Sequence, residues 1–128
     1  MFGNNLLFSK KPYYKGDVSA NEDSEVALFK KEDVIYLLKN NTSFLNHFLS
    51  ANSEFGIRLN SKIKLLSLES AEERFIYYMD LNDNHIEFES ITSLAKELSL
   101  QRETLSRLLS KLEKKGVINK KDHSISMK

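Results

Sequence analysis

The sequence predicts a mainly helical chain with a small β component: a long helix that pairs with a second copy, then a winged helix-turn-helix domain. Three observations carry this expectation. Residues 42–66 place apolar side chains at heptad spacing. Residues 67–128 alternate cap, amphipathic and turn signals at the spacing of three short helices. Residues 117–128, VINKKDHSISMK, read as strand, turn, strand.

The elements follow in order. Residues 1–29 hold the only proline and two of the four glycines. SEVALF (24–29) has strand character after the turn-rich GDVSANEDS. This first piece is too short to bury a core, so loose packing or pairing with another chain is expected. Residues 30–66 read as two helices. KKEDVIYLLK forms a short one, and NNTS offers a cap for the long one. In the long helix Leu45, Asn52, Leu59 and Leu66 lie seven apart, and Phe48 and Phe55 interleave with them. That is an a/d seam with a polar Asn52 at one a position. Lys62 interrupts the d series, and Ile63 carries the stripe on. Gly56 weakens the helix by about 1 kcal/mol relative to alanine. Few residues remain to cover so long a stripe, which favours a seam between two copies over packing within the chain.

Residues 67–128 read as a compact domain. Ser70 and Glu73 make a capping box for AEERFIYYMDL. HIEFE alternates as a short strand does. Ser90 caps ITSLAKEL, and a tight break at Ser99–Leu100 leads into a helix at about 101–115. Gly116 ends that helix. Leu105, Leu108, Leu109 and Leu112 share one of its faces, and Arg102, Glu103, Ser106, Arg107 and Ser110 the other. An isolated helix of this kind is most often a solvated surface element. As the second helix of a helix-turn-helix followed by a wing, it has the geometry of a recognition helix, whose N-terminal residues meet base edges in the major groove. Arginine can pair bidentately with guanine, and glutamate can accept from cytosine. A carboxylate facing phosphates is a poor choice for non-specific binding.

Charge and composition agree with this. The net charge is +1, but residues 91–128 carry nine basic and four acidic residues, and residues 1–90 ten and fourteen. A basic C-terminal third is the footprint of a nucleic-acid module. With 128 residues there is room for one domain or two small ones. The absence of cysteine excludes disulfide, iron–sulfur and Cys-zinc sites and fits a reducing cytoplasm. No apolar run suggests a membrane span, and MFGNNLLFSKKPYY does not read as a signal peptide. His47, His85 and His123 lack metal-ligand spacing, and no phosphate loop or nucleophile motif occurs, so neither enzyme activity nor a cofactor is expected.

LAKELSLQRETLSRLLSKLEKKGVI resembles the DNA-binding motif of the Crp/Fnr transcription regulators, whose signature is R-E-T-x-S-R followed by L-x-x-L-E-x-x-G-x-I. The resemblance extends over nearly the whole chain. Residues 1–29 resemble the end of the family's cyclic-nucleotide-binding-like sensor β-roll, 30–66 a short helix and then, from residue 42, its long dimer helix, and 67–128 its DNA-binding domain. It implies a cytoplasmic regulator that binds palindromic double-stranded DNA as a homodimer, with RNA polymerase as a further partner. Arg102, Glu103 and Arg107 match base-contacting positions of members that read TGTGA-like half-sites. Glu103, Ser106 and Arg107 equally match members that read TTGAT-like half-sites. Ser90, Thr92, Gln101 and Thr104 sit where members contact phosphates or cap helices. Lys120 and Lys121, expected in the wing turn, would add phosphate contacts that position without specifying sequence.

Three departures from the family carry expectations of their own. The strands that precede the sensor segment in the family are missing, so the chain reads as a C-terminal portion. The Gly-Glu pair of cyclic-nucleotide binders is Gly3–Asn4 here, and the phosphate-holding arginine region reads Pro12–Tyr13–Tyr14–Lys15. Asparagine lacks the carboxylate that accepts from a ribose hydroxyl, and lysine lacks the bidentate fork, so no cyclic AMP binding is expected. Ser99 stands where a turn glycine is common, and a positive φ there costs energy. A second reading is a dimerisation or regulatory fragment without productive DNA binding. A winged-helix domain of another regulator family would leave the heptad seam unexplained.

Overall fold

The computed structural model describes residues 3, 4, 6–11, 13 and 16–128. Pro12, Tyr14 and Lys15, named in the phosphate-site comparison, lie outside the described residues. The elements are α1 (Lys31–Asn40), α2 (Thr42–Ser67), α3 (Ala71–Leu81), β1 (His85–Glu87), α4 (Ile91–Glu97), α5 (Arg102–Lys114), β2 (Ile118–Lys121) and β3 (Ser124–Met127). The chain divides into two compact units, Met1–Arg58 and Leu59–Lys128.

The first unit is thinly packed. Every residue from Gly16 to Phe29 is exposed, and SEVALF is unpaired chain, not the expected strand. Valine and phenylalanine favour extended backbone, but a strand also needs a partner ladder. No described residue supplies one. α1 places Glu32 and Asp33 in its first turn and Lys39 in its last, as the helix dipole favours. The Asn41 side-chain oxygen accepts from the Phe44 N–H at 2.9 Å and opens α2. A small aromatic cluster covers part of α2. Phe8 meets Phe48 edge-on at 6.0 Å, Phe44 lies 6.5 Å from Phe48, and the Lys31 ammonium stands 5.6 Å from the Phe8 ring centre.

The second unit holds the main core. The end of α2 belongs to this unit and contributes the buried Leu65 to its core. α3 has the expected limits. The Ser70 hydroxyl accepts from the Glu73 N–H, and the Glu73 carboxylate accepts from the Ser70 N–H. The Ser70 N–H first, then the Ser70 hydroxyl, each donate to the Glu73 carboxylate at 2.9 Å and hold it below the usual carboxylate range. Phe75 and Met79 point from α3 into the core, and Leu94, Ala95 and Leu98 join them from α4. β1 pairs with β3 and β3 with β2, both antiparallel, giving the order β1-β3-β2. Ile86, Ile118 and Ile125 turn one face of this sheet inward.

Both helices of the helix-turn-helix end in the same backbone motif. After α4, the Ser99 N–H donates to the Lys96 carbonyl and the Leu100 N–H to the Ala95 carbonyl. After α5, the Gly116 N–H donates to Glu113 and the Val117 N–H to Leu112. Each motif puts one residue in the left-handed region. Gly116 has φ 71° and Ser99 φ 53°. A Cβ at Gly116 would meet nothing within 4 Å. Its replacement by alanine therefore carries only the backbone cost, about 1–2 kcal/mol. The expected result is a lower denaturant midpoint with an unchanged slope.

Candidate nucleic-acid interface

α5 is fixed by its apolar face. Leu105, Leu108, Leu109 and Leu112 are all buried, and the helix packs on α3, α4 and β2. The opposite face is thereby turned to solvent. Arg102, Glu103, Ser106, Arg107 and Ser110 are exposed. The side chains of Arg102, Glu103, Ser106 and Arg107 form no hydrogen bond or ion pair with another described residue. Ser110 is different, since its hydroxyl donates to the Ser106 carbonyl at 3.0 Å. Glu103 lies in the first turn, where the helix dipole favours a carboxylate. Gln101 occupies the N-cap without a side-chain bond, so the first-turn N–H groups of α5 have no side-chain acceptor there.

The flanking residues divide by what already engages them. Ser90 is a helix cap: its hydroxyl accepts from the Ser93 N–H at 3.1 Å. Thr92, Gln101 and Thr104 are exposed. Lys120 and Lys121 are not in the wing turn. Both belong to β2, opposite Ile125 and Ser124, and the loop is Asp122–His123. The ladder continues through both lysines because Ile118 and Ile125 fix the register by their burial. The wing is tied to the end of β1, where the Phe88 N–H donates to the His123 carbonyl at 2.9 Å. Glu87, Glu89 and Asp122 surround Lys121 and His123 in a shallow depression, so this end of the sheet carries mixed charge.

A second shallow depression runs along α5 and is lined by Ser106, Arg107, Ser110, Lys111, Lys114 and Lys115. The three lysines were not among the expected contacts, although the segment KLEKK displays them. Lys111 is engaged by Glu72 of α3 at 2.8 Å. This hydrogen bond first, then the charges of Lys111 and Lys115, hold Glu72 below the usual carboxylate range. Behind the helix-turn-helix, the Tyr78 hydroxyl donates to the Glu97 carboxylate. Burial, then this carboxylate, pushes the Tyr78 phenol up to about 12, so it remains a neutral donor.

The expected seam residues of α2 differ in their surroundings. In the first unit, Phe48 is buried beside Phe8 and Phe44, and Leu45 is half-buried. Asn52 accepts from the Asn4 amide at 3.2 Å and donates to the Phe48 carbonyl at 2.8 Å. Phe55 is 42% exposed. In the second unit, Leu59, Ile63 and Leu66 are 50%, 57% and 49% exposed, each with large apolar area facing solvent. Among the described residues no cluster of three metal-ligating side chains occurs, and no helix is long and apolar enough to cross a membrane.

Comparison with known proteins places this geometry. A family model described as a Crp-like helix-turn-helix domain matches residues 64–128. No curated protein matches the chain. Among solved structures, the catabolite activator protein of Thermus thermophilus is similar at 24% identity with a TM-score of 0.40. The match covers 77% of this chain and 48% of that one, so the chain spans about half the length of that structure.

Proposed function

We propose that this chain, which belongs to the Crp-like helix-turn-helix family of DNA-binding transcription regulators, reads a palindromic site as a homodimer through α5. The observation that carries the reading is the unengaged polar face of α5. Four side chains with base-pairing chemistry, Arg102, Glu103, Ser106 and Arg107, stand exposed opposite a fully buried leucine face. In the proposed complex, Arg107 and Arg102 offer bidentate donors to guanine, and Glu103 accepts from cytosine N4. Arg102, Glu103 and Arg107 suit a TGTGA-like half-site, and Glu103, Ser106 and Arg107 a TTGAT-like one. Gln101 and Thr104 at the start of α5, Thr92 of α4, and Lys120 and Lys121 of β2 hold phosphates and set register. Ser90 acts chiefly by capping α4.

The second copy joins along α2. Phe55, Leu59, Ile63 and Leu66 form the open part of the stripe, and a two-fold pair there would read half-sites whose centres lie about 34 Å apart, one turn of DNA. Cyclic AMP is not the effector in this reading. Asn4 stands where a ribose-binding carboxylate would be, and its amide is already donated to Asn52.

Sedimentation with and without duplex tests both halves. The expected species are a dimer and a dimer–DNA complex. Ile63→Lys introduces like charges at the seam and is expected to weaken dimerisation tenfold or more, about 1.4 kcal/mol, without unfolding the chain. A dimer that never retards DNA would instead mark a regulatory fragment. An Ile63→Lys variant that remains as dimeric as the parent would remove α2 as the seam.

A further inference from the structure

We propose that Lys62 and Arg74 are positioning residues for base reading: together they clamp the turn between α4 and α5 and so set the angle at which α5 is presented. The proposal rests on the DNA reading above. Lys62 is the residue that interrupts the heptad pattern of α2. Its ammonium donates to the Glu97 carbonyl and, at 3.1 Å, to the Ser99 hydroxyl. Arg74 of α3 reaches the same turn from another direction. Its Nη1 donates to the Ser99 carbonyl at 3.1 Å, and its Nε to the Leu68 carbonyl at 3.0 Å, just beyond α2.

Three features make this more than surface pairing. The turn residue is a serine at φ 53°, in the region that favours glycine. Such a conformation persists where surrounding contacts determine it, and here the hydroxyl and the carbonyl of Ser99 are each held by a different cation. The acceptors lie at the C-terminal end of α4, where orphan carbonyls and the negative end of the helix dipole favour cationic donors. Neither cation forms an ion pair with a described carboxylate, so both are committed to backbone and hydroxyl oxygens. The rigid guanidinium fork fixes the Leu68 and Ser99 carbonyls relative to each other. Since α5 begins at Arg102, any tilt of Ser99 is carried into Arg102 and Glu103. Base contacts tolerate displacements of only about 0.5 Å.

The test uses the full chain with Lys62→Met, Arg74→Met, both together, and Lys62→Arg. Three readouts are taken: amide exchange at Ser99 and Leu100, the ratio of palindromic to scrambled-duplex affinity, and the unfolding midpoint. A lost hydrogen bond to a charged donor is worth roughly tenfold. The apolar variants are therefore expected to speed exchange about tenfold and lower the affinity ratio about tenfold. Lys62→Arg, which keeps a cationic donor, is expected to retain the parent ratio. The ratio is the discriminating quantity, because removing a positive charge lowers both affinities. If the parent discriminates and the Met variants discriminate equally, or lose only their midpoint, the proposal is overturned. A parent that does not discriminate would overturn the DNA reading itself. The exchange measurement would still decide the clamp: unchanged protection in the double variant would remove it.

Discussion

Replacing Arg107 by alanine is expected to weaken binding to the cognate palindrome by about 1–3 kcal/mol, roughly 5- to 150-fold, and to relax one base position. The size follows from where the guanidinium stands. Arg107 is exposed on α5, next to the leucine pair that anchors the helix, and its side chain engages no other described residue. Its removal therefore takes nothing from the fold, and the unfolding free energy is expected to move by no more than about 0.5 kcal/mol. The whole effect falls on the bound state, where a bidentate donor to guanine is lost. Fluorescence anisotropy on the cognate duplex and on duplexes with one base pair changed measures both parts. Unchanged affinity for the cognate site would remove Arg107 from the reading set. A uniform loss on every duplex would make it a phosphate contact.

Phe75→Ala is expected to have the largest effect on stability, a loss of about 3–5 kcal/mol. Phe75 is 0% exposed, and it sits where α3 meets the core that also contains Leu65, Met79 and the leucine face of α5. Because the ring is fully buried in this close-packed cluster, collapse around the void is restricted, and the cavity cost adds to the lost transfer energy. Small domains are stable by about 5–15 kcal/mol, so this one change removes a large fraction of the total. Urea denaturation followed by far-ultraviolet circular dichroism measures it. A loss under about 1 kcal/mol would mean that Phe75 is not central to this core. Because α5 is oriented by the same core, the variant should also bind DNA more weakly at temperatures where it begins to unfold.

What the sequence revealed was mostly local. The limits of α3 were legible because Ser70 and Glu73 complete a capping box three residues apart. The helix α5 was legible from four leucines and from Gly116, whose left-handed backbone ends it. The unfavourable φ at Ser99 was also foreseeable, since a helix-turn-helix needs one left-handed residue there. SEVALF misled because extended-chain propensity is local and a ladder is not. Lys120 and Lys121 read as turn residues, but the hairpin loop is set by strand register, which depends on Ile118 and Ile125 entering the core from opposite strands. The pairing of β1 with β3 joins distant segments and had no local signal. The same is true of Lys62 and Arg74 on Ser99, and of Glu72 on Lys111. The polar face of α5 was legible in composition. That its charges stay unengaged emerges only from the positions of their neighbours.

The most direct measurement is an anisotropy titration of the chain against three labelled duplexes at two salt concentrations. One carries a TGTGA palindrome, one a TTGAT palindrome and one a scrambled sequence. The expected result is tight, salt-sensitive binding to one palindrome, abolished or sharply weakened by Arg107→Ala. Which palindrome wins would tell whether Arg102 or Ser106 completes the contact set. Equal, weak binding to all three would contradict the account, because the exposed face of α5 would then not be reading bases.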